Sequence, residues 1–182
     1  MKINVLILMA VLFLSFGLSG VLQKSKPLSS APAAPDALRP SEPVPQFDFT
    51  DMAGGTHSIS DYSGKTIILN FWASWCAPCV TEFPHLLSYA ASNPDIVLIA
   101  LSSDKDRAAI ETFLKRLDPD SKLLLKKPNI IIARDHDQAI TTDVFQTISL
   151  PETVIIDPRQ TLKSKIIGPV HSPQDLHDRI NP

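Results

Sequence analysis

The stretch Asn70–Pro84, NFWASWCAPCVTEFP, holds both cysteines of the chain, Cys76 and Cys79, in a C-x-x-C spacing with Pro78 between them. Upstream, Thr66–Trp72 (TIILNFW) is rich in β-formers and reads as a buried strand. Downstream, residues 77–92 have helical spacing, with Val80, Phe83, Leu86, Leu87 and Ala90 predicted to form one apolar stripe. Pro78 falls in the first turn of that helix, where its missing N–H costs nothing. Pro84 falls inside it, where a kink is expected. The cysteine pair thus sits where a strand hands over to a helix.

A metal site, a structural clip and a redox dithiol can all use such a pair. A structural zinc needs four ligands, and the five histidines (His57, His85, His136, His171, His177) show no H-x-x-x-H spacing. A clip closing so small a loop gains little entropy. The redox reading accounts for the placement. A cysteine at a helix N-terminus faces free N–H groups and the positive end of the dipole, both of which favour thiolate over thiol. Cys76 is therefore expected to be the exposed nucleophile and Cys79, one turn deeper, the buried thiol that resolves the mixed disulfide. Pro78 fixes the first turn, and Trp75 is placed to shield one side. The disulfide itself is the redox centre; no metal or other cofactor is expected.

Working outward, 182 residues with 44% hydrophobic content allow one core-bearing domain plus extensions. A net charge of -2, with Lys126-Lys127 as the densest basic patch, argues against a nucleic-acid partner. Residues 3–22 (INVLILMAVLFLSFGLSGVL) are almost unbroken apolar sequence, about the length a helix needs to cross a membrane. Residues 1–23 are read as an uncleaved membrane anchor, with a cleaved secretory signal as the alternative. Both put the rest of the chain outside the cytoplasm, where paired cysteines are at home. Residues 24–45 are rich in Pro, Ala and Ser and read as a tether, so the folded domain is expected to span 46–182.

Within it, FDFTD and THSIS flank MAGG and predict a β-hairpin. DIVLIALS predicts a second buried strand, and SDKDRAAIETFLKRL an amphipathic helix with Asp104 near its start and Lys115 and Arg116 near its end, which suits the macrodipole. NIIIA reads as a short strand and DQAITTDVFQ as a weaker helix. ETVIID and LKSKIIG read as strands joined through PRQT, and SPQDLHDRI as a last helix capped by Ser172. Strands alternating with helices, then a hairpin and a closing helix, imply an α/β fold with a mixed sheet.

WASWCAPC after an apolar strand resembles the thioredoxin superfamily. WCAPCVTEFPHL is similar to the W-C-x-x-C-x-x-E-x-P-x-L pattern of its membrane-tethered TlpA/ResA/CcmG (DsbE-like) group, and LPETVIID to that group's P-E-T-F-L-I-D segment. The likeness runs from about Phe47 to the C-terminus. It implies a thioredoxin-like mixed sheet flanked by helices, with an N-terminal β-hairpin and a helix–strand insertion near residues 104–133. Departures are Phe145 where the group commonly has Tyr, the missing Gly in QTISLP, and DPRQT in place of an Asp-Gly turn.

The resemblance also assigns residues. Asn70 stands where ordinary thioredoxins carry a buried Asp, and an amide cannot take a proton. Glu82, on the Cys79 side of the helix, is then the candidate acid–base group. Pro151 is the candidate cis-proline, and Leu150 is to offer backbone groups to an incoming substrate strand. Glu152 is either near the active site or a salt-bridged edge residue. The implied function is a monomeric extracytoplasmic (periplasmic) thiol–disulfide oxidoreductase. It would reduce protein disulfides, such as those of apocytochrome c during cytochrome c maturation, with electrons from a membrane dithiol donor. The alternative is a Cu(I)-binding metallochaperone on the same fold, holding the metal with two thiolates and a distant histidine.

Overall fold

A computed structural model describes residues 39–181; the expected anchor and residues 24–38 of the expected tether lie outside the described residues. Seven strands form one mixed sheet: β1 (Asp48–Asp51), β2 (Thr56–Ser58), β3 (Thr66–Trp72), β4 (Ile96–Ser102), β5 (Ile130–Arg134), β6 (Glu152–Ile156) and β7 (Leu162–Ile167). Their order is β2-β1-β5-β4-β3-β6-β7. The central pairs β3–β4 and β4–β5 are parallel, while β6 runs antiparallel to β3 and β7 to β6. The hairpin β1–β2 adds to the outer edge of β5.

The two central strands are buried on both faces, which is why they read as continuous apolar runs. Side chains alternate between two cores. Ile68 and Trp72 of β3, with Leu98 and Ala100 of β4, face α1 (Ala77–Ala91), α2 (Arg107–Arg116) and α4 (Pro173–Ile180). Ile67, Leu69 and Phe71, with Val97, Ile99 and Leu101, face the opposite core, where Phe47, Phe49 and Phe145 pack. The same alternation puts Asn70 on the α1 face, with Thr153 beside it in register.

The fold class, the hairpin, β3, α1 and the Ser172-capped last helix agree with the sequence reading; in α4 a capping box links Ser172 and Asp175. Five local expectations change. The folded domain begins before residue 46: Ser41 N–H donates to Leu162 O, Val44 N–H to Gln160 O, and Leu162 N–H to Glu42 O, and Val44 is buried in the second core. A Pro-rich composition concealed a short edge segment held by its neighbours. The amphipathic helix starts at Arg107 and is capped by Asp106, because Asp104 is drawn into hydrogen bonds from Ser74 and from Ser102 at the end of β4. A further helix, α3 (Pro119–Leu124), capped by Asp118, follows it. The weak helix at 137–146 is a π-helical turn over Ala139–Val144, entered through Gln138 in a left-handed conformation. Val80 leaves the α1 stripe: it is 38% exposed, and the buried face is instead completed by Cys79, Glu82 and Tyr89. α1 runs through Pro84 as one helix.

Candidate active site

Cys76 is the N-cap of α1, in extended backbone, and its Sγ accepts a hydrogen bond from Cys79 N–H at 3.4 Å. Sulfur here does what Ser or Asp does at other helix starts. Cys76 and Cys79 are joined as a disulfide with S–S 2.08 Å. Cys79 is fully buried, whereas Cys76 retains 7% exposure, so the difference between them is one of degree rather than open against closed. Pro78 lies in the first turn of α1 as expected. Trp75, the residue expected to shield one side of the pair, stands 70% exposed.

Glu82 is fully buried one turn beyond Cys79. Its carboxyl is held from both sides. Asn70 Nδ2–H donates to Oε1 at 2.8 Å, and the backbone N–H of Val170, just before α4, donates to Oε2 at 2.8 Å. Asn70 Nδ2–H also donates to Thr153 Oγ1 at 3.0 Å. Burial pushes the Glu82 carboxyl up from its ordinary 4.5 to about 7, against the downward pull of the Val170 and Asn70 hydrogen bonds. A carboxyl poised there can both give and take a proton at neutral pH. The absence of a charge on Asn70 matters, since an aspartate there would face a second carboxylate.

The Leu150–Pro151 peptide bond is cis. Leu150 and Trp75 line one cleft of about 270 Å³ together with Ser103, Gln138 and Ser149, so the loop before the cis-proline and the residue before Cys76 face a shared space. Ile148, also on that cleft, is 96% exposed.

Glu152 belongs elsewhere. It alternates with Thr153 and points to the opposite core, 1% exposed, where it accepts from Thr147 Oγ1 at 2.6 Å and ion-pairs with Lys165 Nζ at 2.8 Å. Lys165 Nζ donates onward to Phe145 O. The pair pins the segment from Phe145 to Pro151 onto β6 and β7. His57 is engaged by Asp51 and Tyr62 in the N-terminal hairpin. Among the described residues no three His, Cys, Asp or Glu side chains are grouped to hold a metal.

Three participants escaped the sequence reading: Thr153, the Val170 N–H and Lys165. Thr153 had a signal, since strand alternation puts it on the face of Ile155. The others depend on loops and edges that no spacing rule brings together.

A model of the Redoxin family matches residues 39–179. The thiol-disulfide oxidoreductase ResA of Geobacillus kaustophilus is 30% identical over 127 residues, covering 69% of this chain and 67% of that protein. ResA of Bacillus subtilis is 24% identical over 151 residues, covering 82% and 78%. Among solved structures, a putative thiol:disulfide interchange protein DsbE from Chlorobium tepidum superposes with a TM-score of 0.66 at 23% identity, over 79% of this chain and 96% of that one.

Proposed function

The chain belongs to the Redoxin family, and on that premise we propose that it is a protein-disulfide reductase working through Cys76, Cys79 and Glu82. It is an extracytoplasmic thiol–disulfide oxidoreductase whose substrates are protein disulfides. The observation that carries the finer reading is the stacking, along one face of α1, of an N-cap sulfur, a buried partner sulfur and a buried carboxyl near 7.

The reaction starts from the reduced pair. Cys76, its proton given up to solvent, attacks as thiolate one sulfur of a partner disulfide; a Cys76–partner bond forms, the partner S–S bond breaks, and the departing thiolate takes up a proton from solvent. Glu82 carboxylate accepts the proton of Cys79, whose thiolate attacks Cys76 Sγ. The Cys76–Cys79 bond forms, the mixed disulfide breaks, and the second partner thiolate leaves with a proton returned from Glu82. Two electrons and two protons have passed to the partner, and an external dithiol must restore the pair. Leu150, ahead of cis-Pro151, supplies backbone groups to the partner strand, and Trp75 forms the facing wall.

Residues 3–22 hold this domain at the membrane, the donor is a membrane dithiol carrier, and apocytochrome c is the partner proposed. Trapping tests it: Cys79→Ser in full-length protein should accumulate in membranes as a Cys76-linked adduct, and mass spectrometry of that adduct names the partner. Adducts that form equally through Cys79 in Cys76→Ser protein would overturn the assignment of the nucleophile, and adducts lacking apocytochrome c that of the partner.

A further inference from the structure

Asp104 has no part in the steps above, yet it is 2% exposed and held tightly. Ser74 N–H donates to its Oδ2 and Ser74 Oγ–H to its Oδ1, both at 2.8 Å, and Ser102 Oγ–H donates to Oδ2 at 2.7 Å. None of the ion pairs among the described residues includes it. A buried carboxylate satisfied only by neutral donors keeps most of its field, because nothing of opposite charge cancels it.

Two of its three bonds go to Ser74, two residues before Cys76. Cα atoms that far apart along the chain are separated by at most about 7 Å, so the carboxylate is tied to the short segment that carries the Cys76 sulfur. The other charges facing this corner are weaker counterweights. Lys105 and Asp106 share the cleft beside Trp75, are exposed and oppose each other in sign. Arg116 of α2 is exposed across the groove from Ser74. Glu82 of α1 lies a turn beyond Cys79. The π-turn and cis-proline loop lining the cleft bring only neutral side chains, Gln138, Ser149 and their neighbours.

We propose that Asp104 is a positioning residue that sets the direction of electron flow. Its carboxylate fixes the Ser74–Cys76 turn, and its buried negative charge opposes the helix N-terminus, holding Cys76 toward thiol and so biasing the pair toward giving electrons away. A thiolate that is less stabilised makes the reduced form less stable relative to the disulfide. The inference rests on Cys76 being the nucleophile of a cycling pair. At an effective dielectric of about 20, one unit charge about 10 Å away changes a thiol–thiolate equilibrium by about tenfold, and that magnitude is the one tested below.

Two measurements test it: the pH profile of Cys76 alkylation in reduced Cys79→Ser protein, and the equilibrium of the intact pair with glutathione. Asp104→Asn removes the charge and keeps an acceptor. It should alkylate about tenfold faster near pH 7, with the profile displaced about one pH unit downward. The glutathione equilibrium should move toward the dithiol, little at pH 7 where the thiol dominates and approaching tenfold, a potential about 30 mV higher, at alkaline pH where Cys76 is thiolate. Ser74→Ala keeps the charge but removes one donor that damps it. It should move both readouts the other way, alkylation slowing about twofold. A purely structural role would loosen the turn in both variants and shift them in the same direction. Shifts of the same sign, or no shift, overturn the proposal. Should Asp104→Asn fail to fold, Ser74→Ala alone decides by its sign. Wild-type protein whose pair cycles with glutathione while the variants match it sinks this inference alone; a wild-type pair that does not cycle sinks the proposed function and this inference with it.

Discussion

Replacing Glu82 by glutamine separates the acid–base reading from a merely structural one, because the two predict different pH dependence of stability. The folded-state carboxyl titrates at about 7 and the unfolded one at its ordinary 4.5. For a folded value that is raised, the stabilisation is fully present below about 4.5 and is lost as pH rises toward 7, where the unfolded chain has released its proton and the folded chain still holds one. At about 1.4 kcal/mol per pH unit, the wild type forfeits about 3 kcal/mol from this group between pH 4.5 and 8. Glutamine does not titrate, so Glu82→Gln should not lose it. The substitution puts an amide N–H opposite an N–H donor of Asn70 or Val170, which costs about 1–2 kcal/mol at every pH. Near pH 4.5 the variant should therefore be the less stable by about that amount, and near pH 8 the more stable by about 1–2 kcal/mol. Other carboxylates, such as Asp51 with its value lowered by His57, titrate alike in both proteins and cancel. Urea unfolding of the oxidised proteins at intervals from pH 4.5 to 8 reads the difference. Parallel stability curves would refute a raised Glu82 and with it the proton-transfer role. The kinetic companion is the lifetime of the mixed disulfide, which should lengthen by about 10²-fold or more where deprotonation of Cys79 limits resolution.

Reduced Cys79→Ser protein should alkylate faster at neutral pH than reduced Cys76→Ser protein, since only Cys76 occupies the N-cap; iodoacetamide kinetics decide, and equal rates would remove the assignment. A chain starting at Gln46 should be less stable by about 2–4 kcal/mol than one starting at Arg39, because Val44 leaves the core and the bonds to Gln160 and Leu162 are lost; equal melting temperatures would restore residue 46 as the boundary. Lys165→Met strands the buried Glu152 carboxylate and should destabilise by about 3 kcal/mol, with Glu152→Gln recovering most of it in the double variant. A Lys165→Met protein as stable as wild type would make that ion pair dispensable.

The sequence by itself determined the local chemistry. An apolar strand, a C-x-x-C with proline in the second helical position and an amphipathic run after it already place a sulfur at a helix start, because strand and helix periodicities and the steric rules for proline act over a few residues. Glu82 and Pro151 were legible only through resemblance to whole motifs. What the tertiary structure decided is environment. The Glu82 carboxyl is raised because α1 packs it against Asn70 of β3 and the N–H of Val170, residues 12 and 88 positions away. Glu152, adjacent in sequence to Thr153, ends in the other core because a strand turns successive side chains to opposite faces. Asp104, which reads as a helix-start charge, is taken by Ser74, 30 residues earlier in the chain. Desolvation and long-range hydrogen bonding depend on what is nearby in space, and spacing along the chain carries no record of that until the sheet has assembled.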